Sequence, residues 1–121
     1  MKLPIQFALT YPEREQSTVE PLDFTKYPKL TFFEPDLETF GCLRLALESM
    51  KEGGTMPLCL NAANEVAVSA FLNRKIGFYD ITESVCEVCE RLSGAKDVKS
   101  LEAILGYDKE ARILAKEVLG L

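Results

Sequence analysis

The chain has 121 residues, 47% of them hydrophobic and 27% charged, a balance that fits one soluble globular domain with a core of its own. A net charge of −5, with no basic run denser than "NRK", excludes a surface built for nucleic acid or an anionic membrane, because both need a positive face. Histidine is absent, which removes the commonest general acid/base near neutral pH and the commonest nitrogen ligand for a metal.

The opening run "MKLPIQFALTYPER" has one Lys, two prolines and no small-residue cleavage site, and no apolar stretch nears the roughly eighteen residues of a membrane span. A cytoplasmic domain is expected. Pro4 suits the first turn of a helix that must stop before Pro12. Residues 1 to 36 hold five of the six prolines and six of the eleven Phe and Tyr residues, so regular structure there is short. Glu13 to Pro28 reads as extended or looped, and "KLTFF" is the only run with good strand propensity. An aromatic arm of this kind has no core, and its apolar surface invites self-association through residues 1–36.

From Asp36 onward the pattern is helical. "DLETFGCLRLALESMKEGG" puts Leu37, Phe40, Leu43, Leu47 and Met50 on one stripe, with Asp36 as the cap, Gly53 and Gly54 as the stop, and Gly41 as a possible break in the first turn. A second helix runs from near Pro57 to about Lys75. The third has an Asp80-x-x-Glu83 capping box and ends at Ser93 and Gly94, and the last is split by Gly106. The expected architecture is mainly α: a small four-helix-type bundle over residues 37–121, preceded by an extended arm over 1–36 with at most one or two short strands.

Four cysteines, Cys42, Cys59, Cys86 and Cys89, include a C-x-x-C that can signal zinc or redox work. On its helix, however, Ile81, Val85, Val88, Cys89 and Leu92 form one apolar face with Cys86 at the edge. Buried thiols acting as small hydrophobes are the simpler account.

The second helix is apolar on nearly all sides, which predicts a central position. Asn61, Glu65 and Ser69 follow one another at steps of four, with Asn64 one turn from Asn61. A catalytic use of this seam would need a nucleophile, a perturbed acid or a metal, and one carboxylate supplies too few oxygens for a divalent ion. The alternative is a structural cluster of Asn61, Asn64 and Glu65 that hydrogen-bonds a neighbouring helix end.

"MKLPIQFALTYPER", "PLDF", "LTFFEPD", "CLRLALESMKEGGTMPLCLNAANEVAVSAFLNRKIGFYDI" and "EARILAKEVLGL" resemble, in order and spacing, the C-terminal portion of the 1-deoxy-D-xylulose 5-phosphate reductoisomerases. The resemblance covers essentially the whole chain. It implies a parent enzyme that makes 2-C-methyl-D-erythritol 4-phosphate for non-mevalonate isoprenoid synthesis with NADPH and Mg²⁺ or Mn²⁺, acting as a homodimer. Residues 1–36 would then be the end of the catalytic domain and a linker, and 37–121 the helical bundle. The cofactor loop, metal carboxylates and phosphate-binding groups would lie upstream. This stretch would therefore bind no cofactor and brace the active site without being catalytic alone. Only Met1 matches a family position beside the nicotinamide pocket, and Gly41 departs from the family, where Pro is frequent. A free-standing helical interaction module is the competing reading.

Overall fold

Pro4 sits in the first turn of the opening helix, α1 (Lys2–Thr10), where its missing N–H removes no intrahelical bond. The computed structural model describes residues 1–94 and 96–121 and divides into two units, Met1–Glu34 and Pro35–Leu121. In the first unit α1 buries none of its residues. Side-chain hydrogen bonds to the backbone organise it instead. Gln6 Nε2 donates to the Gln16 carbonyl at 2.8 Å, Thr10 Oγ1 donates to the Glu13 carbonyl at 2.9 Å, and the Arg14 guanidinium lies 4.5 Å from the Phe7 ring centroid.

Further along, Asp23 Oδ1 accepts from Thr25 N at 2.8 Å and so closes a turn. "KLTFF" forms no strand: Leu30, Phe32 and Phe33 are exposed, and no partner strand exists among the described residues. Strand propensity expresses itself only against a ladder or a packed face, and this unit offers neither.

The second unit is four helices: α2 (Gly41–Glu52), α3 (Met56–Leu72), α4 (Phe78–Arg91) and α5 (Leu101–Val118). α3 is central and packs on α2, α4 and α5. Its inward face is Cys59, Ala62, Ala63, Ala67 and Ala70, which meets Val85, Val88 and Cys89 of α4 and Ala111 and Ala115 of α5. Such small side chains let helix backbones approach closely, so the core is made of short residues in tight contact.

Several local signals land elsewhere than the sequence pattern predicts. Asp36 caps an isolated turn, its Oδ1 accepting from Thr39 N at 2.9 Å, and α2 begins only at Gly41. The stripe of Phe40, Leu43 and Met50 faces outward, while Gly41 and Ser49 are buried and Cys42 and Leu45 pack on the core. Close approach explains the choice: a Cβ at position 41 would lie 2.6 Å from Thr82 Cγ2, so the small-residue face fits against α4 and a bulkier one would not. At α4 the cap is Gly77, and Asp80 occupies the third helical position with its Oδ2 accepting from Gly77 N at 2.7 Å. α5 runs unbroken through Gly106, capped by Ser100, whose Oγ accepts from Ala103 N at 3.2 Å. A helical glycine costs about 1 kcal/mol against alanine, which the packing of Ala111 and Ala115 outweighs.

Candidate functional site

Asn61, Glu65 and Ser69 lie on the exposed side of α3, and Asn64 is half-buried. The seam opens toward α5. Asn61 Nδ2 donates to Glu65 Oε1 at 3.4 Å, and Glu65 Oε2 accepts from Arg112 Nη2 at 2.8 Å. Arg112 also donates through Nε and Nη2 to Asp108 Oδ2 and Oδ1 at 2.8 and 3.2 Å, so one guanidinium joins two carboxylates on two helices. Hydrogen bonding and charge from Arg112, helped by Asn61, hold the Glu65 carboxyl below its ordinary value. The partner of the seam is therefore a side chain on α5, where sequence reasoning expected the loop groups of a helix end. Asn64 makes no side-chain hydrogen bond among the described residues. The i, i+4 spacing of Asp108 and Arg112 was visible in "DKEAR", but nothing in one sequence pairs position 112 with position 65.

Below this network Glu65, Ser69, Asn73, Lys75, Arg112 and Lys116 border a groove of about 540 Å³. Asn73 Nδ2 donates to the Ser69 carbonyl at 2.8 Å, and Lys75 N donates to the Ala70 carbonyl at 3.0 Å, closing the end of α3. Lys75 and Lys116 stand where α3 and α5 end, so their charge complements the partial negative charge of helix C-termini. The arrangement ties two helices together. It presents no nucleophile beside a base, and its Glu65 carboxyl is held on the ionised side.

All four cysteines are free. Burial raises the thiol pKa of Cys59 and Cys86 and pushes that of Cys89 up to about 11, so at neutral pH they are protonated apolar groups. Cys42 Sγ and Thr82 Oγ1 are 3.4 Å apart at the contact of α2 with α4. Met1 precedes α1 and is 92% exposed.

Residues 1–114 match the family model described as the DXP reductoisomerase C-terminal domain. The chain belongs to this family. The 1-deoxy-D-xylulose 5-phosphate reductoisomerase of Ruminiclostridium cellulolyticum is 50% identical over 119 residues, a match that covers 98% of this chain and 31% of that protein. The one from Acetivibrio thermocellus is 48% identical over 122 residues with the same coverage.

Among solved structures, the reductoisomerase from Zymomonas mobilis in complex with NADPH superposes with a TM-score of 0.84 at 44% identity, over 98% of this chain and 31% of that one. A DOX-P reductoisomerase in complex with NADPH, fosmidomycin and magnesium superposes with a TM-score of 0.83 at 40% identity, over 99% of this chain and 31% of that one. The chain thus spans about a third of the length of the relatives it matches.

The residues present do not fit the groups bound in those relatives. Among the described residues no three Cys, Asp or Glu side chains converge to hold a metal, the chain has no His, and the carboxylates of Glu65 on α3 and Asp108 on α5 are both engaged by Arg112. No glycine-rich loop between a strand and a helix is present among them either, since all regular structure there is helical.

Proposed function

We propose that this chain is the bracing, non-catalytic tail of an NADPH-dependent 1-deoxy-D-xylulose 5-phosphate reductoisomerase working in the cytoplasm on the route to 2-C-methyl-D-erythritol 4-phosphate. In this reading residues 1–36 complete the catalytic domain and link it to the bundle, 37–121 form the bundle, and Met1 lies beside the cofactor pocket. The Asn61, Glu65 and Arg112 network is structural. NADPH and Mg²⁺ or Mn²⁺ belong to upstream residues, and the assembled enzyme is a homodimer.

One observation carries the proposal: a chain in this family, matching 31% of its relatives, uses Glu65 of its polar seam to tie α3 to Arg112 of α5. A helix that must stay aligned needs such ties, and an enzyme assembled elsewhere needs a rigid wall. A chimera tests this. The upstream part of the Ruminiclostridium cellulolyticum enzyme, joined to this chain in place of its own tail, is expected to oxidise NADPH with substrate at a rate within about tenfold of that enzyme, a barrier change of about 1.4 kcal/mol. The same enzyme with its tail deleted is expected to be inactive. Full activity without any tail would remove the bracing role.

A further inference from the structure

On α2, Cys42 and Leu45 pack on the core, but Leu43 and Met50, with Phe40 just before the helix, point away from the bundle. At about 100° per residue, Ala46, Met50, Leu43, Leu47 and Phe40 share one arc whose centre lies roughly 160° from the arc of Gly41, Leu45 and Ser49 that packs inward. Phe40 is 60% exposed, Leu43 42% and Met50 69%. Arg44, Glu48 and Lys51 fill the remaining side, so α2 has an inner face, a charged edge and a second apolar face. The bundle cannot cover that face by shifting, because turning α2 would withdraw Gly41 from its contact with Thr82 and drive a larger side chain into a space already short by one methyl group. A helix with apolar residues on opposite sides is normally packed on both.

We propose that the Phe40, Leu43, Leu47 and Met50 face is the surface on which the bundle seats the upstream portion of its own polypeptide. This deepens the proposed function and rests on it. The occupant follows from length: the match is to a C-terminal domain and leaves more than two thirds of each relative outside it. A contiguous exposed apolar strip on a charged domain marks such a contact. A second copy of this chain is the occupant to be told apart from it.

Methionine oxidation reads the face without altering it. Met50 is exposed and Met56, six residues on, is 4% exposed, so hydrogen peroxide is expected to convert Met50 to its sulfoxide quickly and Met56 slowly in the isolated chain. In the chimera with the Ruminiclostridium cellulolyticum upstream part, Met50 is expected to slow by roughly tenfold or more while Met56 stays slow, as mass spectrometry of the peptides would record. Equal Met50 rates in the two proteins overturn the assignment, and so does a Met50 rate in the isolated chain that falls as its concentration rises, since a second copy would then be the cover. Activity of the same chimera separates the two readings. An active chimera with unprotected Met50 removes this face and leaves the proposed function; a protected Met50 in an inactive chimera does the reverse.

Discussion

Met1–Glu34 and Pro35–Leu121 are held by different forces. The first unit contains no buried hydrophobic residue, and its turns depend on Gln6, Thr10 and Asp23 bonding to nearby backbone. The second buries a continuous cluster from Met56 to Ala115. Local hydrogen bonds choose a path for the chain but contribute little net free energy, because water competes for the same groups. Burial of apolar surface has no such competitor. The arm therefore has a shape without a core, and the bundle has both.

The sharpest way to break this contrast is to cut into the bundle. Val88 is fully buried, and Val88→Ala is expected to cost about 2 to 3 kcal/mol in urea denaturation, while Gln6→Ala in the arm costs less than about 0.5 kcal/mol. Comparable losses would mean that the arm shares the bundle's cooperative unit. Next, Gly41→Ala is expected to cost about 1 to 3 kcal/mol by forcing apart α2 and α4, and Thr82→Ser, which removes the opposing methyl, is expected to restore most of it in the double variant. Additive losses would locate the strain elsewhere.

The thiols sharpen the comparison through pH. Because the Cys89 pKa is raised in the folded state, its contribution is complete below the unfolded value near 9.0 and is lost as pH climbs toward about 11. Melting measured across that range should fall, and native labelling by a thiol reagent at pH 8 should be slow until denaturant is added. Prompt labelling of Cys59 and Cys89 would show the core open. A smaller effect belongs to Glu65, whose folded pKa is lowered: its contribution is present above the ordinary value of 4.5 and is lost as pH falls through the folded value. Glu65→Gln should flatten that acid dependence, lowering melting slightly at pH 7 and making no difference once acid has protonated Glu65 in the parent chain. In the arm, Phe32→Ser with Phe33→Ser should leave bundle melting unaltered yet lower any concentration-dependent mass seen by light scattering, since both rings are exposed. A drop in melting temperature would place those rings in a core.

The sequence made some features legible and hid others for reasons tied to single residues. α4 is read correctly because Ile81, Val85, Val88 and Cys89 form its one apolar side, and all four are buried. α2 has two non-charged sides, and periodicity favours the more hydrophobic one although packing favours the smaller. Asp36 and Asp80 are capping residues by type, yet which turn each one closes depends on where the helix after it is allowed to begin. Gly106 looked like a break since propensity is local, whereas the helix around it is held by its neighbours.

From the sequence alone follow the helical bundle with a coreless aromatic arm, the central place of α3, the place of Cys89 on the buried side of α4 and the family, because each depends on composition, on period or on a run of residues contiguous in the chain. Tertiary structure alone decided which face of α2 turns inward and that Arg112 on α5 is the partner of Glu65 on α3. Both are contacts between segments far apart in the chain, selected by how closely two backbones can approach, and a one-dimensional pattern contains no such distance.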